Sequence, residues 1–509
     1  MSEPILAQRS DPCRDPYHPV GRVPAKTPMV SKWAVAGVVS VVVLGLVSCA
    51  SPRPYAQPTL ELPQSWGDAG MWQALSAQDV PANPDWWVQF NDPALTALIQ
   101  KALTSSTTLT IAKARVDQAR AGLQTANAST LPQLGASGRV ARLQISQYRP
   151  LNNYNSPNWS TVQTDIAPVL SASYELDLWG RVSSTVQASK GSFEQSVVDF
   201  QNVKLVLTTD IATNYFNARQ VDIELGLLKQ IVQAQEKSLE VALSRYELGL
   251  MAALEKSQIE LALEASRIQY EQLKRTREQY VHALATLIGQ DANSFVLQEE
   301  NAPRTLLRPT LGMPSTLLLR RPDIASAERA VAVANAQIGI AQAAYYPTIT
   351  MGSSFGYEAT QLANLYYAPS RIWSFGPSFT LPLFDGGRID ASVAFSEAGY
   401  AATVGIYKKA VLTAFQEVQD AITGFNTLDE ALAKAKAATA LSQKIYTLAK
   451  DRYEGGLSTS LDFLQAKQAL LATQRQETQI LAQRMLVQVF LIKALGGGWD
   501  GLKSTETVK

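Results

Sequence analysis

Cysteine, histidine and charge are scarce in this 509-residue chain. It has two Cys and two His, which nearly excludes a Cys/His metal site, a disulfide framework and most thiol or imidazole chemistry. Charged residues make up 17%, below the roughly 25% of soluble domains. The 45 basic and 44 acidic residues leave a net charge of +1, so nothing draws nucleic acid by bulk charge. There is no nucleophile elbow, no paired His and no phosphate loop. The sequence therefore predicts a protein that is not an enzyme and holds no cofactor. Proline is also missing from two long stretches, 169–302 and 383–509.

What is present begins with an address label. Residues 33–47, WAVAGVVSVVVLGLV, are uncharged, follow Lys32 and end in small residues before Cys49. A basic residue, a short apolar core and small residues form a secretory signal. A membrane-spanning helix needs about 20 apolar residues, which weighs against a permanent inner-membrane anchor. Leu46-Val47-Ser48-Cys49 resembles the bacterial lipoprotein signal. That resemblance implies a lipid on Cys49, and Ala50 at the next position implies delivery to the outer membrane. Met29 is the expected true start, so residues 1–28 are read as dispensable. Removing 1–48 takes away five basic and three acidic residues, with Cys13 and His18. The net charge becomes −1.

Proline breaks helix interiors at a cost of about 3 kcal/mol, so the proline-free stretches suit long helices. They are copies of one another at a constant offset of 207. Gly180-Arg181 matches Gly387-Arg388, and Arg245-Tyr246-Glu247-x-Gly249-Leu250 matches Arg452-Tyr453-Glu454-x-Gly456-Leu457. Leu254, Gln258, Leu263, Arg277 and Gly289 likewise match Leu461, Gln465, Leu470, Arg484 and Gly496. Leu225, Leu228, Val232, Gln235, Leu239, Ala242 and Tyr246 step by three and four, the coiled-coil spacing. Each copy reads as a helix of roughly 100 Å, over 181–248 or 388–455, from a rise of about 1.5 Å per residue. A shorter return helix follows, 254–288 or 461–495. Gly249 sits where a helix end wants positive φ, and 458–460 supply N-cap candidates.

Upstream of each long helix the pattern changes to period two. Trp373, Phe375, Pro377 and Phe379 alternate with Ser374, Gly376, Ser378 and Thr380. Ile166, Pro168, Leu170 and Ala172 precede Tyr174 in the same rhythm, as do Ile349, Met351, Phe355 and Tyr357. Such strands fit a membrane β-barrel or half a soluble β-sandwich; the signal and the long helices weigh for the barrel. Four strands cannot close a barrel, and a membrane strand cannot leave its edge unpaired. The chain must therefore oligomerise, two copies giving eight strands and three giving twelve.

A lipoprotein signal followed by a duplicated short helix, β-hairpin, long helix and return helix resembles the TolC-like outer membrane efflux proteins. Within them it is similar to the lipoprotein branch that includes the OprM and NodT types. Arg320-Arg321-Pro322-Asp323-Ile324, Ala336-Gln337-Ile338-Gly339-Ile340-Ala341 and Tyr346-Pro347 carry that resemblance between the halves. At the second helix turn it is carried by Arg452-Tyr453, Gly456-Leu457, Leu461-Asp462 and Leu464-Gln465-Ala466. The resemblance implies a mainly α fold with a membrane β-barrel: a homotrimer with four strands per chain, twelve in all, above a long periplasmic helical barrel. It divides the chain into a signal segment 1–48, a lipid-anchored segment 49–90, repeats 91–302 and 303–497, and a tail 498–509. The hairpins fall at about 131–178 and 347–384.

It further implies a passive exit channel in the outer membrane. The partners would be outer membrane lipids, a periplasmic adaptor and an inner-membrane pump of the resistance-nodulation-division (RND) class, exporting drugs or other small toxic compounds. Carried over residue by residue, the adaptor-contacting turns are Arg245, Tyr246, Gly249, Leu250 and Leu254 with Arg452, Gly456, Leu457 and Leu461. The periplasmic gate is Tyr453 with Asp462, which the resemblance places in a threefold ring of carboxylates. Gln465 and Ser458 stand where some members have a second acidic ring and a gate arginine. Rival readings are a channel serving type I secretion or metal efflux, and a non-channel coiled-coil lipoprotein.

Overall fold

The computed structural model describes residues 54–59, 74–75, 85–144, 162–299, 311–312, 321–499 and 501. All belong to the compact unit Pro52–Lys509. Cys49, residues 1–48 with Met29, and 150–161 of the first polar loop lie outside the described residues.

After a two-residue strand, Ala74–Leu75, and a 3-10 turn, Trp86–Phe90, the chain forms α1, Pro93–Ser105, and α2, Thr107–Ala128. Asp92 starts α1 by accepting from the amides of Ala94 (3.0 Å) and Leu95 (3.1 Å), and Pro93 supplies a preset φ at the first helical position. A hairpin of β1, Gln133–Gln144, and β2, Val162–Glu175, follows. Next come α3, Arg181–Glu247, and α4, Ala253–Leu287. The second copy repeats the series as α5, Pro322–Ala343; β3, Thr348–Tyr357; β4, Arg371–Thr380; α6, Arg388–Glu454; and α7, Ser460–Ala494. The long helices are 67 residues each and the return helices 35 each, so the offset of 207 seen in the sequence is also the offset between their ends.

These helices stop one residue before the sequence reading placed their ends, and the reason is backbone chemistry. After α3, Gly249 (φ +69°) sends its amide to the Tyr246 carbonyl (2.9 Å), and the Leu250 amide reaches the Arg245 carbonyl (2.8 Å). Gly456 (φ +71°) and Leu457 repeat this on Tyr453 and Arg452 at 3.0 and 2.8 Å. That double closure is the Schellman motif, which needs left-handed backbone at the glycine. The long helices start without a side-chain cap from the neighbouring glycine. Instead Asp177 accepts from Val182 and Ser183 (2.9 and 2.7 Å), and Asp385 from Gly387 and Ile389 (3.0 and 2.9 Å).

The four strands form one antiparallel sheet in the order β1-β2-β3-β4. Register puts Leu170 opposite Ala136 and Phe355, and Trp373 opposite Phe355. Leu134, Val140, Leu170, Phe355, Trp373, Phe375 and Phe379 are all exposed on that face. The other face carries Ser171, Ser173, Ser354 and Ser374, with Ser171 opposite Ser354 and a hydroxyl contact of 2.7 Å between Ser354 and Ser374. Trp179 ties the copies together at the foot of the sheet: its indole donates to the Pro347 carbonyl (2.7 Å) and stacks on Tyr346.

Below the sheet the helices change neighbours along their length. Near the strands α3 packs between α2 and α5, and α6 packs on α5; farther away α3 packs between α4 and α7, and α6 packs on α7. Gly191 and Gly339 permit the close α3–α5 approach, because a Cβ at either would lie 2.8 Å from Val333 or Ser184. At the change of neighbours sits the main core: Leu95, Ile99, Ile211, Tyr215, Leu284, Ile288 and Val489 with Trp86 and Trp87. Each such aliphatic side chain contributes about 1.5–3 kcal/mol by leaving water. Arg321 of the interhalf motif lies here too. It grips Asp323 through two nitrogens (3.0 and 2.7 Å), Glu417 of α6 (2.7 Å) and the Ala494 carbonyl closing α7 (2.9 Å).

Candidate functional site: the two hairpin tips and the sheet

The residues singled out from the sequence fall at one place, the far tips of the two helical hairpins. In copy one, Leu248, Leu250 and Leu254 are each at least 70% exposed around the glycine turn, and Tyr246 is exposed beside them. Arg245 is half-buried, and Lys256 from the start of α4 lies over the Tyr246 ring (5.4 Å). In copy two, Leu457 is likewise exposed, with Arg452, Tyr453 and Gly456. Leu461 is half-buried. The tips touch: a small cavity is lined by Ser238, Ala242, Arg245 and Met251 of copy one and Leu461 and Leu464 of copy two.

The start of α7 is a built N-terminus. Thr459 is the N-cap, the middle of the three candidates at 458–460. Its hydroxyl accepts from the Asp462 amide (3.2 Å) and donates to the Asp462 carboxylate (2.7 Å), while the Thr459 amide donates to the same carboxylate (3.1 Å). This is a capping box with aspartate in the third position. The bonds from Thr459, aided by Arg452 and Arg245, hold the Asp462 carboxyl below its ordinary range. Its charge is therefore shared between its own helix start and a basic residue from each tip. Tyr453 stacks on Phe463 (5.5 Å, 8°), and Tyr446 lies tilted against the same ring (5.5 Å, 33°).

Phe463 and Lys256 were not among the residues picked from the sequence, and Thr459 was picked only as one of three N-cap candidates. The signal that finds them is disagreement between the copies. At the offset of 207, Phe463 faces Lys256 and Thr459 faces Ala252.

Among the described residues no group of three or more His, Cys, Asp or Glu side chains is placed to hold a metal ion. No described helix is long and apolar enough to cross a membrane. The face that presents apolar side chains outward is the sheet's, and among the described residues both its edges, β1 and β4, are unpaired. A short-strand sheet with an aromatic outer face, joined to paired helices of roughly 100 Å, matches one family description, "Outer membrane efflux protein", over residues 98–290 and 313–497. The chain belongs to that family.

Among its relatives, the probable efflux pump outer membrane protein TtgC of Pseudomonas putida is 29% identical over 473 residues, covering 92% of this chain and 96% of TtgC. Outer membrane protein OprJ of Pseudomonas aeruginosa is 31% identical over 462 residues, covering 90% and 95%. Among solved structures, the CmeC outer membrane channel of Campylobacter jejuni superposes with a TM-score of 0.77 at 26% identity, covering 90% of this chain and 96% of CmeC. The two matched stretches are the two copies of the helix–hairpin–helix unit, and the sheet and the tips are its two ends.

Proposed function

We propose that three copies of this chain form the outer membrane exit channel of a tripartite efflux system. The observation that carries this is the sheet: its outward face is apolar and aromatic, its inward face is serine-rich, and both edges are open among the described residues. In a membrane such edges must be paired, and three copies joined β1 to β4 would close a barrel of twelve strands. The helices below would continue as a tube, because α4 and α6 bound the helical layer with exposed apolar positions such as Leu261 and Ile268, Leu441 and Ile445. Cys49 would carry the lipid that helps anchor the assembly among outer membrane lipids.

The channel is passive in this reading, with energy supplied by an inner-membrane pump of the RND class. A periplasmic adaptor would seat on the exposed leucines at the turns, Leu250, Leu254 and Leu457, which are flanked by Arg245 and Arg452. Drugs or other small toxic compounds would be the cargo. Threefold symmetry would bring three Asp462 and three Tyr453 together at the periplasmic end as the gate.

The assembly is tested by electrophoresis of the purified protein in detergent, with and without heating. A trimer band that collapses to a monomer on heating is expected; a monomer in both lanes would sink the proposal. The gate is tested in planar bilayers. Asp462→Ala is expected to raise single-channel conductance, and unchanged conductance with unchanged cation block would remove Asp462 from the gate.

A further inference from the structure

Toward the tips the helices lie in the order α4-α3-α7-α6, so α4 and α6 are the edges of the layer. The middle seam, α3 on α7, joins the two copies of the repeat. It is pinned by Glu224 of α3, which is 2% exposed. The Glu224 carboxylate accepts from Arg475 Nε and Gln479 Nε2 of α7, both at 3.0 Å, and from Gln220 of its own helix at 2.8 Å. Nearer the tips, Ser238, Val241 and Ala242 of α3 face Leu461 and Leu464 of α7 across the small cavity.

The duplication carries this seam over to the edges. Inside the chain, the long helix of copy one meets the return helix of copy two. The edges hold the reverse pair, the long helix of copy two and the return helix of copy one. Raising the α3 numbers by the offset of 207 and lowering the α7 numbers by it gives the equivalent contacts. Ser238 and Val241 against Leu461 become Ile445 and Leu448 against Leu254. Glu224 against Arg475 and Gln479 becomes Ala431 against Ile268 and Gln272. Between these two levels, Leu261 falls beside Leu441.

Those positions are the ones the chain leaves bare. On α4 the large apolar side chains more than half exposed are Leu254, Leu261 and Ile268, spaced by seven. On the tip half of α6 they are Leu441, Ile445 and Leu448. A stripe at heptad spacing is the seam of a coiled coil, and a contiguous exposed apolar surface marks a contact. An open groove also runs over Ile268 and Gln272, between Arg267, Glu271 and Arg275. It lies at the level where Glu224 is gripped inside the chain.

We propose that α4 of one copy seats on α6 of the next in the register of the α3–α7 seam. The occupant of each bare edge is a second copy of this chain, which rests on the exit-channel reading. Leu254 takes the place of the half-buried Leu461, so part of it stays free at the tip. Between hairpins, three seams pinned by Glu224 then alternate with three that hold apolar side chains where the pin stands.

The register is tested by moving the pin. Full-length variants purified in detergent are heated in steps and run on gels that preserve the trimer. Ile268→Arg alone should lose the trimer band at a temperature where wild type keeps it, because a charge enters an apolar seam without a partner. Adding Ala431→Glu should restore the band, since the two residues then stand as Arg475 and Glu224 do. Adding Ala438→Glu instead, about 10 Å along the helix, should not. Rescue by both, or no loss in Ile268→Arg, would overturn the register. Where no rescue occurs, oxidative cross-linking decides. Leu261→Cys with Leu441→Cys should join chains on a denaturing gel, and Leu261→Cys with Ala431→Cys should not; equal joining, or none, sinks the seam. A wild type that is monomeric without heating removes the exit-channel reading and the seam together. A wild-type trimer that neither rescues nor cross-links in register removes the seam alone.

Discussion

The two copies of the repeat share helix lengths, turn geometry and spacing, yet they differ where side chains decide stability. Copy one buries an ion pair in the middle of its hairpin, and copy two builds a capping box at its tip. Asp222 of α3 and Arg277 of α4 are joined at 2.6 Å with side chains 0% and 8% exposed. Arg219 (3.1 Å) completes the aspartate, and Arg277 also donates to the Leu297 carbonyl (2.8 Å). The same positions in copy two, Asp429 and Arg484, are joined at 2.6 Å too, but Asp429 is 42% exposed. Arg484 instead leans on the Phe425 ring (4.5 Å). The difference has a structural cause: α1, the Trp86–Phe90 turn and the 295–299 segment cover copy one, and nothing among the described residues covers copy two in that way. One sequence pattern can thus produce a sealed ion pair or a wet one.

The sharpest way to break this comparison is to remove one carboxylate from each copy. Asp222→Ala strands two buried guanidinium groups and should cost about 3–5 kcal/mol. Asp429→Ala leaves Arg484 with its aromatic neighbour and partial access to water, and should cost about 1–2 kcal/mol. Denaturant unfolding of the purified protein in detergent reads both. Equal losses would mean that burial does not set the strength of the duplicated pair.

The tips supply the next contrast. Copy two starts its return helix with the Thr459–Asp462 box, and copy one starts with Ala252, which offers no cap. Thr459→Ala should cost about 1 kcal/mol of local stability. Ala252→Thr, with Glu255 already three residues on, should stabilise the first tip by about 0.5–1 kcal/mol through a new box. Hydrogen exchange of peptides spanning 249–257 and 456–464 reports each tip separately. The contrast collapses if both substitutions leave exchange unchanged. A smaller effect belongs to the rings. Lys256 over Tyr246 is a charge contact worth about 0.5–1 kcal/mol at an exposed site, whereas Phe463 on Tyr453 is a stack. Salt should therefore speed exchange at the first tip more than at the second, as measured between low and high sodium chloride.

Much of this architecture can be read in the sequence because it rests on backbone rules. Proline gaps marked the long helices, Gly249 and Gly456 marked their ends, and the period-two alternation from Ile349 to Phe379 marked the sheet faces. The constant offset made one reading serve twice. What stayed hidden depends on contacts between distant segments. Asp177 and Asp385 cap the long helices from outside them, where a search next to the helix start finds only glycine. Arg277 was visible as a repeated residue, but its partner Asp222 lies 55 residues away across a helix pair. At the candidate gate, the family resemblance marked Tyr453 and Asp462. It did not reveal that Asp462 is already engaged by Thr459, because a capping box is a matter of rotamer and turn.

That engagement makes the second tip acid-sensitive in a way the first is not. The Asp462 carboxyl is held below its ordinary range, chiefly by the Thr459 hydroxyl and amide and then by Arg452 and Arg245. A group whose folded pKa is depressed stabilises the folded form above its unfolded value of about 3.9, and that contribution disappears as pH falls through the folded value. Protection of 456–464 in hydrogen exchange, corrected for the intrinsic pH dependence of exchange, should therefore hold at pH 5 and fall below pH 4. Protection of 249–257 should change less, since Ala252 has no hydroxyl to donate such a bond. Thr459→Ala should move the loss of protection to higher pH, because it removes the largest cause of the depression while leaving both arginines. If the transition stays where it was, the arginines hold Asp462 and the cap does not. The tip would then be an electrostatic contact between the two copies rather than a feature of α7 alone.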